Sequence, residues 1–251
     1  MKIYAVGIGP GHPGYLAPAA RQAILESDVV AGYTVYMDLI SDLLEGKTLI
    51  RTGMKSELVR CRSAVEEAKR GKTVSVVSSG DAGIYGMAPL LMELLENETE
   101  IELEIVPGIT AATAAASRLG TPLSNDFAVI SLSDLMTPWP VIEKRLKAAG
   151  MGDFVVCLYN PKSKTRTDHL DRACRLLLKF RSPETWCGYV RNALRNDSSQ
   201  GICTLSELSN AEIDMLTTVI IGNSETRRIG DRLLTSRGYR LERQNETEES
   251  P

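Results

Sequence analysis

The 251-residue chain has little of what several large functional classes require. Aromatic residues make up 5% of it, with two Trp and three Phe, so a base-stacking strip for nucleic acid has few residues to draw on. There are two histidines, His12 and His169, and five cysteines, Cys61, Cys157, Cys174, Cys187 and Cys203. They are widely spaced, with no C-x-x-C pair, so no zinc site is expected. Scattered cysteines of odd number read as reduced thiols packed in the core. No run approaches the roughly 18 uncharged apolar residues of a membrane span. The first residues enter a strand-like segment without a signal-peptide pattern, which makes the cytoplasm the expected compartment. A net charge of -3 supplies no bulk attraction to nucleic acid or anionic lipid.

What is present is an ordinary globular composition, 43% hydrophobic, resting on Ala, Val, Leu and Ile. Short apolar runs alternate with amphipathic stretches. Lys2–Ile8, Asp28–Ala31, Lys47–Ile50, Thr73–Val77 and Glu102–Val106 read as strands. Between them, helices are expected from Pro18, over Val35–Leu44, over Ser56–Arg70 with Gly71 as its cap, over Ile84–Leu95 and over Thr110–Leu119. Such alternation implies an α/β fold with a mostly parallel sheet. Loop signals gather at Thr121–Asn125, and a second set follows: strand Phe127–Leu132, helix Val141–Ala149, strand Phe154–Tyr159, helix Thr167–Lys179, then strands Trp186–Val190, Gly201–Leu205 and Thr218–Ile221. We therefore expect two α/β lobes, 1–122 and 123–240, with a disordered charged tail over 241–251.

Two glycine-rich segments resemble nucleotide loops and fail on detail. Gly9-Pro10-Gly11-His12-Pro13-Gly14 satisfies G-x-G-x-x-G, but prolines fill two open positions and Tyr15-Leu16-Ala17 separates the glycines from the helix. Gly71-Lys72-Thr73 lacks the upstream glycine of a phosphate loop, since Glu66 stands there inside a helix. On its own chemistry the first segment reads as a stiffened strand-to-helix turn.

Four further segments accompany Val6-Gly7-Ile8-Gly9-Pro10-Gly11: Ser79–Met87, Val106–Ala112, Leu158–Pro161 and Val219–Ser224. In this order and spacing the set resembles the tetrapyrrole methylase superfamily over about residues 1–238. Gly32–Tyr36, Ser131–Trp139 and Tyr159–Ser163 resemble one branch of it, the precorrin-3B or cobalt-factor III C-17-methyltransferases of cobalamin biosynthesis. Ala82 departs from the superfamily pattern, where proline is common.

The resemblance implies an enzyme that methylates C-17 of its macrocycle with associated ring contraction. S-adenosyl-L-methionine would be the cofactor, in a cleft between the lobes, and no metal is implied. By the same resemblance the cofactor contacts fall on Pro10, Gly80, Asp81, Ile84, Thr110, Ala111, Tyr159, Asn160 and Ala193. Asp81 could hold a ligand group or cap a helix starting near Ile84, and Thr110 carries the same ambiguity. Partners implied are an anionic tetrapyrrole and a second copy of the chain, with neither nucleic acid nor membrane. Lys162, Lys164, Arg166, Arg191, Arg195 and Arg227 could pair the macrocycle's carboxylates or form solvated surface. His12 reads as a surface histidine. No catalytic residue can be named, because transfer of a methyl group to carbon needs no protein nucleophile. Alternatives are another methylase of the superfamily and a non-enzymatic nucleotide-binding module.

Overall fold

The computed structural model describes residues 1–239; the charged stretch beyond, including the expected tail, lies outside the described residues. The N-terminal half alternates strand and helix: β1 (Lys2–Gly7), α1 (Pro18–Glu26), β2 (Val29–Tyr33), α2 (Thr34–Asp38), β3 (Thr48–Thr52), α3 (Glu57–Lys69), β4 (Thr73–Ser78), α4 (Ala88–Leu94), β5 (Glu102–Val106) and α5 (Ala111–Leu119). The strands form one sheet in the order β3-β2-β4-β1-β5, parallel throughout. Side chains of successive strand residues leave opposite faces. Ile3 and Ala5 therefore join Cys61, Ala64, Ala68 and Leu91 of α3 and α4, whereas Tyr4 and Val6 join Ala20, Ala23 and Ile24 of α1. Both faces are covered, as an all-parallel sheet requires.

The C-terminal half supplies β6 (Gly120–Thr121), β7 (Phe127–Ser131), α6 (Trp139–Met151), β8 (Val155–Tyr159), α7 (His169–Leu177), β9 (Trp186–Arg191), β10 (Ser199–Thr204), β11 (Thr217–Ile221), β12 (Thr226–Ile229) and β13 (Arg232–Thr235). Its main sheet, β10-β9-β11-β8-β7, is mixed: β7 and β8 are parallel and every other pair is antiparallel. One face packs on α6 and α7 through Ile142, Leu146, Leu170 and Leu177. The other takes α5, whose Ala112, Ala115, Ala116 and Leu119 meet Val155, Cys157, Val190 and Ile220. Alanines let this helix lie close against the sheet. A helix that follows the first sheet in sequence thus serves as a layer of the second.

Three sequence expectations are corrected. The helix expected over Ile84–Leu95 begins only at Ala88. Pro89 belongs to its first turn, where a missing N–H costs nothing, and further in it would clash with the preceding turn. Tyr85, at φ 56°, also departs from helical backbone. The helix expected over Val35–Leu44 breaks into α2 and a short 3-10 turn at Ser41–Leu43. The loop expected at Thr121 is instead strand β6, which pairs with β13 in a third sheet, β12-β13-β6.

All five cysteines are free, and four are buried. Burial pushes the thiols of Cys61 and Cys203 up to about 11, those of Cys157 and Cys174 up to about 12, and that of Cys187 well above its ordinary value. The thiolate is the reactive form. The native chain at pH 8 should therefore react with Ellman's reagent far more slowly than the unfolded chain, which should release five equivalents. Fast native labelling would contradict this packing.

The third sheet is pinned by a threonine. Thr235, fully buried, donates from Oγ1 to the Pro122 carbonyl at 2.6 Å and lies 2.8 Å from Thr226 Oγ1. Thr235→Val keeps the shape and leaves that carbonyl without its donor. It should cost about 1–3 kcal/mol in urea denaturation, and an unchanged midpoint would remove the hydrogen bond from the account.

Candidate functional site

Three strands of the first sheet end side by side, and their loops cross where glycine is required. A Cβ on Gly7 would sit 2.7 Å from both Gly108 N and the Gly80 carbonyl oxygen, and a Cβ on Gly108 would collide with that same oxygen. Gly9 and Gly80 exchange backbone hydrogen bonds of 3.0 and 2.8 Å, each at positive φ (66° and 73°). The loops after β1, β4 and β5 are thus locked together by backbone alone.

Asp81 completes the lock. Its Oδ1 accepts from Gly83 N at 2.8 Å and Ile84 N at 3.1 Å, and its Oδ2 accepts from Gly108 N at 2.9 Å. No α-helix starts at Ile84, so Asp81 is not a helix cap. It folds its own loop into a turn and straps that loop to the next one.

The second lobe joins through tyrosines and an arginine. The Tyr159 hydroxyl, at the end of β8, accepts from Ala112 N at 2.6 Å and lies 2.5 Å from Thr110 Oγ1. It thereby satisfies an N–H in the first turn of α5 that Thr110, the residue before that helix, does not cap itself. Burial pushes the Tyr159 phenol upward, against the pull of these bonds, so it stays protonated at neutral pH. Tyr85 receives Ser131 N at 3.1 Å and donates to the Val129 carbonyl at 3.3 Å, docking on strand β7. Arg195 reaches back to the Pro10 carbonyl at 2.5 Å.

Between these contacts lies a cleft of about 900 Å³, counting the open solvent at its mouth. All nine residues named from the sequence line it. Pro10 comes from the first loop; Gly80, Asp81 and Ile84 from the second; Thr110 and Ala111 from the third; Tyr159 and Asn160 from the end of β8; and Ala193 from the loop after β9. Sequence reasoning did not place Tyr36, Ser79, Tyr85, Asn192 or Met215–Thr218 on this wall. Tyr36 lay within the Gly32–Tyr36 element and Tyr85 within Ser79–Met87, but nothing in the sequence signalled Met215–Thr218.

One motif of the five is elsewhere. Because β11 runs antiparallel to β8 and β9, its start, Thr217 and Thr218, faces the cleft. Its glycine end lies at the far edge, where Asn223 Nδ2 donates to the Asp153 carbonyl at 3.0 Å. The basic residues disperse too. Arg191 is paired with Asp214 and Asp197, at 2.8 and 3.3 Å. Arg166 is buried, and Arg227 lies in β12 of the small sheet. Lys162 and Lys164 stand in the loop before α7, and Arg195 alone of the six lines the cleft. Exposed His12 accepts from Gly14 N at 3.1 Å and caps a 3-10 turn.

The two branch-type segments of the second lobe meet beside the cleft. Asn160 Nδ2 donates to Ser131 Oγ at 2.9 Å. Buried His169 sits edge-on to Trp139, with ring centres 4.9 Å apart. Its Nδ1 lies 3.1 Å from Asp168 and its Nε2 3.0 Å from Asp134. The second contact lacks the alignment of a hydrogen bond. The His169 ring holds both carboxyls below their ordinary range.

Comparison with known proteins agrees with this geometry. The family model for tetrapyrrole (corrin/porphyrin) methylases matches residues 2–209. A cobalt-factor III methyltransferase of Priestia megaterium is 48% identical over 95% of the chain, which spans 45% of that longer protein. A probable cobalt-factor III C(17)-methyltransferase of Salmonella typhimurium is 45% identical, over 95% of this chain and 100% of that one. Among solved structures, the methyltransferase CobJ superposes with a TM-score of 0.87 at 37% identity, over 94% of this chain and 98% of that one. Uroporphyrin-III C-methyl transferase from Thermus thermophilus, complexed with S-adenyl homocysteine, shares the fold at 20% identity and a TM-score of 0.69, over 88% of this chain and 97% of that one. With four of five motif loops meeting in one cleft, and likeness end to end in both sequence and fold, the chain belongs to the tetrapyrrole (corrin/porphyrin) methylases.

Proposed function

We propose that this chain transfers a methyl group from S-adenosyl-L-methionine to C-17 of an anionic tetrapyrrole, with contraction of the ring, in cobalamin biosynthesis. The observation that carries the reading is the convergence of eight motif residues and Ala193, from loops of both lobes, on one cleft. The acceptor we assign is cobalt-factor III, for which the relatives at 48% and 45% identity are named.

The cleft suits a nucleoside that carries an amino-acid end and no phosphate. Its walls are apolar at Ile84, Ile109, Ala111 and Leu216, with Asn160 and Asn192 as polar points. The one carboxylate on the wall among the described residues, Asp81, is already occupied by three backbone N–H groups. When bound, S-adenosylmethionine would supply a methyl group on sulfur, which departs with the C–S bonding pair as the ring carbon's electrons form the new C–C bond. The chain's own residues orient and enclose. The crossed glycine loops fix the floor, and Tyr85 and Tyr159 tie the second lobe down over it. Holding reactants so can lower a barrier by roughly 7–11 kcal/mol in favourable cases.

S-adenosylhomocysteine should bind with a Kd near 1 μM, about 8 kcal/mol, in isothermal titration, and labelled S-adenosylmethionine should deliver one methyl to C-17 of cobalt-factor III, read by product mass and carbon-13 NMR. Label at another ring carbon would move the chain to a sister activity. No heat with S-adenosylhomocysteine but clear binding of ATP would favour a nucleotide-binding module.

Asp81→Asn keeps an oxygen for Gly83 and Ile84 but turns an amide donor toward Gly108 N. It should weaken S-adenosylhomocysteine binding about tenfold and lower unfolding stability by about 1–3 kcal/mol. If both quantities are unchanged, the strap does not shape the cleft.

A further inference from the structure

Arg195 is the only arginine or lysine on the wall of the cleft among the described residues. It leaves the loop after β9, where Asn192 and Leu194 hold φ values of 47° and 61°. A branched-chain residue such as Leu gains nothing from that conformation, so the loop is kept there by its surroundings, a pattern concentrated at functional sites. One of those surroundings is the guanidinium itself. Nε donates to the Pro10 carbonyl at 2.5 Å, one terminal nitrogen to Ser79 Oγ at 3.2 Å and the other to Asn192 Oδ1 at 3.4 Å. These bonds join the loops after β1, β4 and β9 across the cleft.

All three acceptors are neutral. The nearest candidates for a counter-charge are committed elsewhere. Asp197 Oδ2 accepts from Asn192 Nδ2 at 2.6 Å and pairs with Arg191 at 3.3 Å, and both oxygens of Asp81 are spent on backbone. Burial lowers the pKa of Arg195 and outweighs the smaller opposing pull of Tyr36 and Asp197, neither of which it pairs with directly. Arg191 has two carboxylate partners and Arg175 has Asp171 at 2.8 Å, whereas buried Arg181, far from the cleft wall, is like Arg195 in bonding to neutral carbonyls. A guanidinium carries five N–H groups, and three are used here. One remains on each terminal nitrogen, the pair that a carboxylate engages in two-pronged fashion.

We propose that Arg195 is the carboxylate receptor of the cleft, oriented by Pro10, Ser79 and Asn192 and presenting its two free N–H groups to a carboxylate of the bound guest. This rests on the methyltransferase reading above, which supplies two sources of that chemistry: the amino-acid end of the cofactor and the acid side chains of the macrocycle. Neutral acceptors hold the fork in place without quenching its charge, so the carboxylate meets a cation already oriented and partly dehydrated.

The test uses the full chain as wild type, Arg195→Gln and Arg195→Lys. Titration gives the Kd of S-adenosylhomocysteine and of 5′-methylthioadenosine, which lacks the amino-acid end, and product mass gives KM and kcat with cobalt-factor III. Loss of a charged hydrogen-bond pair should weaken the guest concerned about tenfold to a hundredfold. A weaker S-adenosylhomocysteine with unchanged methylthioadenosine assigns the carboxylate to the cofactor. An unchanged S-adenosylhomocysteine Kd with KM raised for the tetrapyrrole, and kcat less affected, assigns it to the macrocycle. Equal weakening of both nucleosides, or no change in either Kd or in KM, overturns the proposal, the former leaving Arg195 a structural latch. Should the Gln variant fail to fold, the Lys variant, which keeps charge but loses the planar fork, decides by the same three readouts. A wild-type chain that binds neither nucleoside and methylates no tetrapyrrole refutes the methyltransferase reading itself, a result visible before any variant is compared.

Discussion

Close approach of three loops at the carboxyl ends of β1, β4 and β5 is the constraint on which the rest depends. Gly7 and Gly108 allow backbone to touch backbone where any side chain would intrude. The N–H groups exposed by that crossing must find acceptors, because a buried unpaired donor costs about 1–3 kcal/mol. Gly9 and Gly80 satisfy each other, and Asp81 takes the Gly108 N–H together with two from its own loop. A single carboxylate thereby fixes the spacing of two loops and the shape of one of them, over Asp81–Met87. From that segment Tyr85 reaches the other lobe. The floor of the cleft and the seam between lobes are one connected structure.

Helix α5 carries that connection into the second lobe. Its start lies beside the crossed glycines, its apolar face packs on the mixed sheet, and its end leads into β6 and the third sheet. The first-turn N–H of Ala112 is answered by Tyr159 from the sheet it packs against. Displacement of the second sheet would therefore break both the packing of α5 and the hydrogen bonding of its start. Arg195 adds a third tie, from the loop after β9 to Pro10 and Ser79. The cleft wall is fixed at both ends by groups that also line it.

Much of this was legible in the sequence because it depends on local rules. Strands buried on both faces read as near-continuous apolar runs, and β1, β2 and β4 were recognisable as such, while the edge strands β3 and β5 were recognisable as short segments between helices. The cleft residues were legible through loop motifs at strand ends, and Pro10, Gly80, Thr110 and Tyr159 do meet on one wall. Strand direction was not legible. Consecutive strands β9, β10 and β11 carry no sign of which way each runs, so nothing in the sequence showed that the Val219–Ser224 motif lies at the far edge, where antiparallel pairing puts it. The start of α4 was missed because Ile84 and Met87 keep helical spacing, and the proline at its first turn outweighs that spacing. Whether a cation is free or paired was also beyond sequence: Arg191 and Arg195 stand four residues apart, and only the fold gives the first its two carboxylates.

The sparse acidity of the cleft agrees with the proposed reaction in a specific way. In methyl transfer from sulfonium to an uncharged carbon, positive charge leaves the sulfur as the transition state is reached. Strong carboxylates beside that sulfur would hold the reactant more tightly than the transition state, and such binding does not raise the rate. Asp81 is the only acid on the wall among the described residues, and three N–H groups spread its charge. Arg195 places a cation in the same space. Apolar walls and backbone dipoles set in place by the glycine crossing replace water there, without favouring the charged reactant. The absence of an acid–base pair on the described wall is then no gap in the machinery: the demands of the chemistry are alignment, dryness and restraint of negative charge, and the fold meets each with groups that also hold its two lobes together.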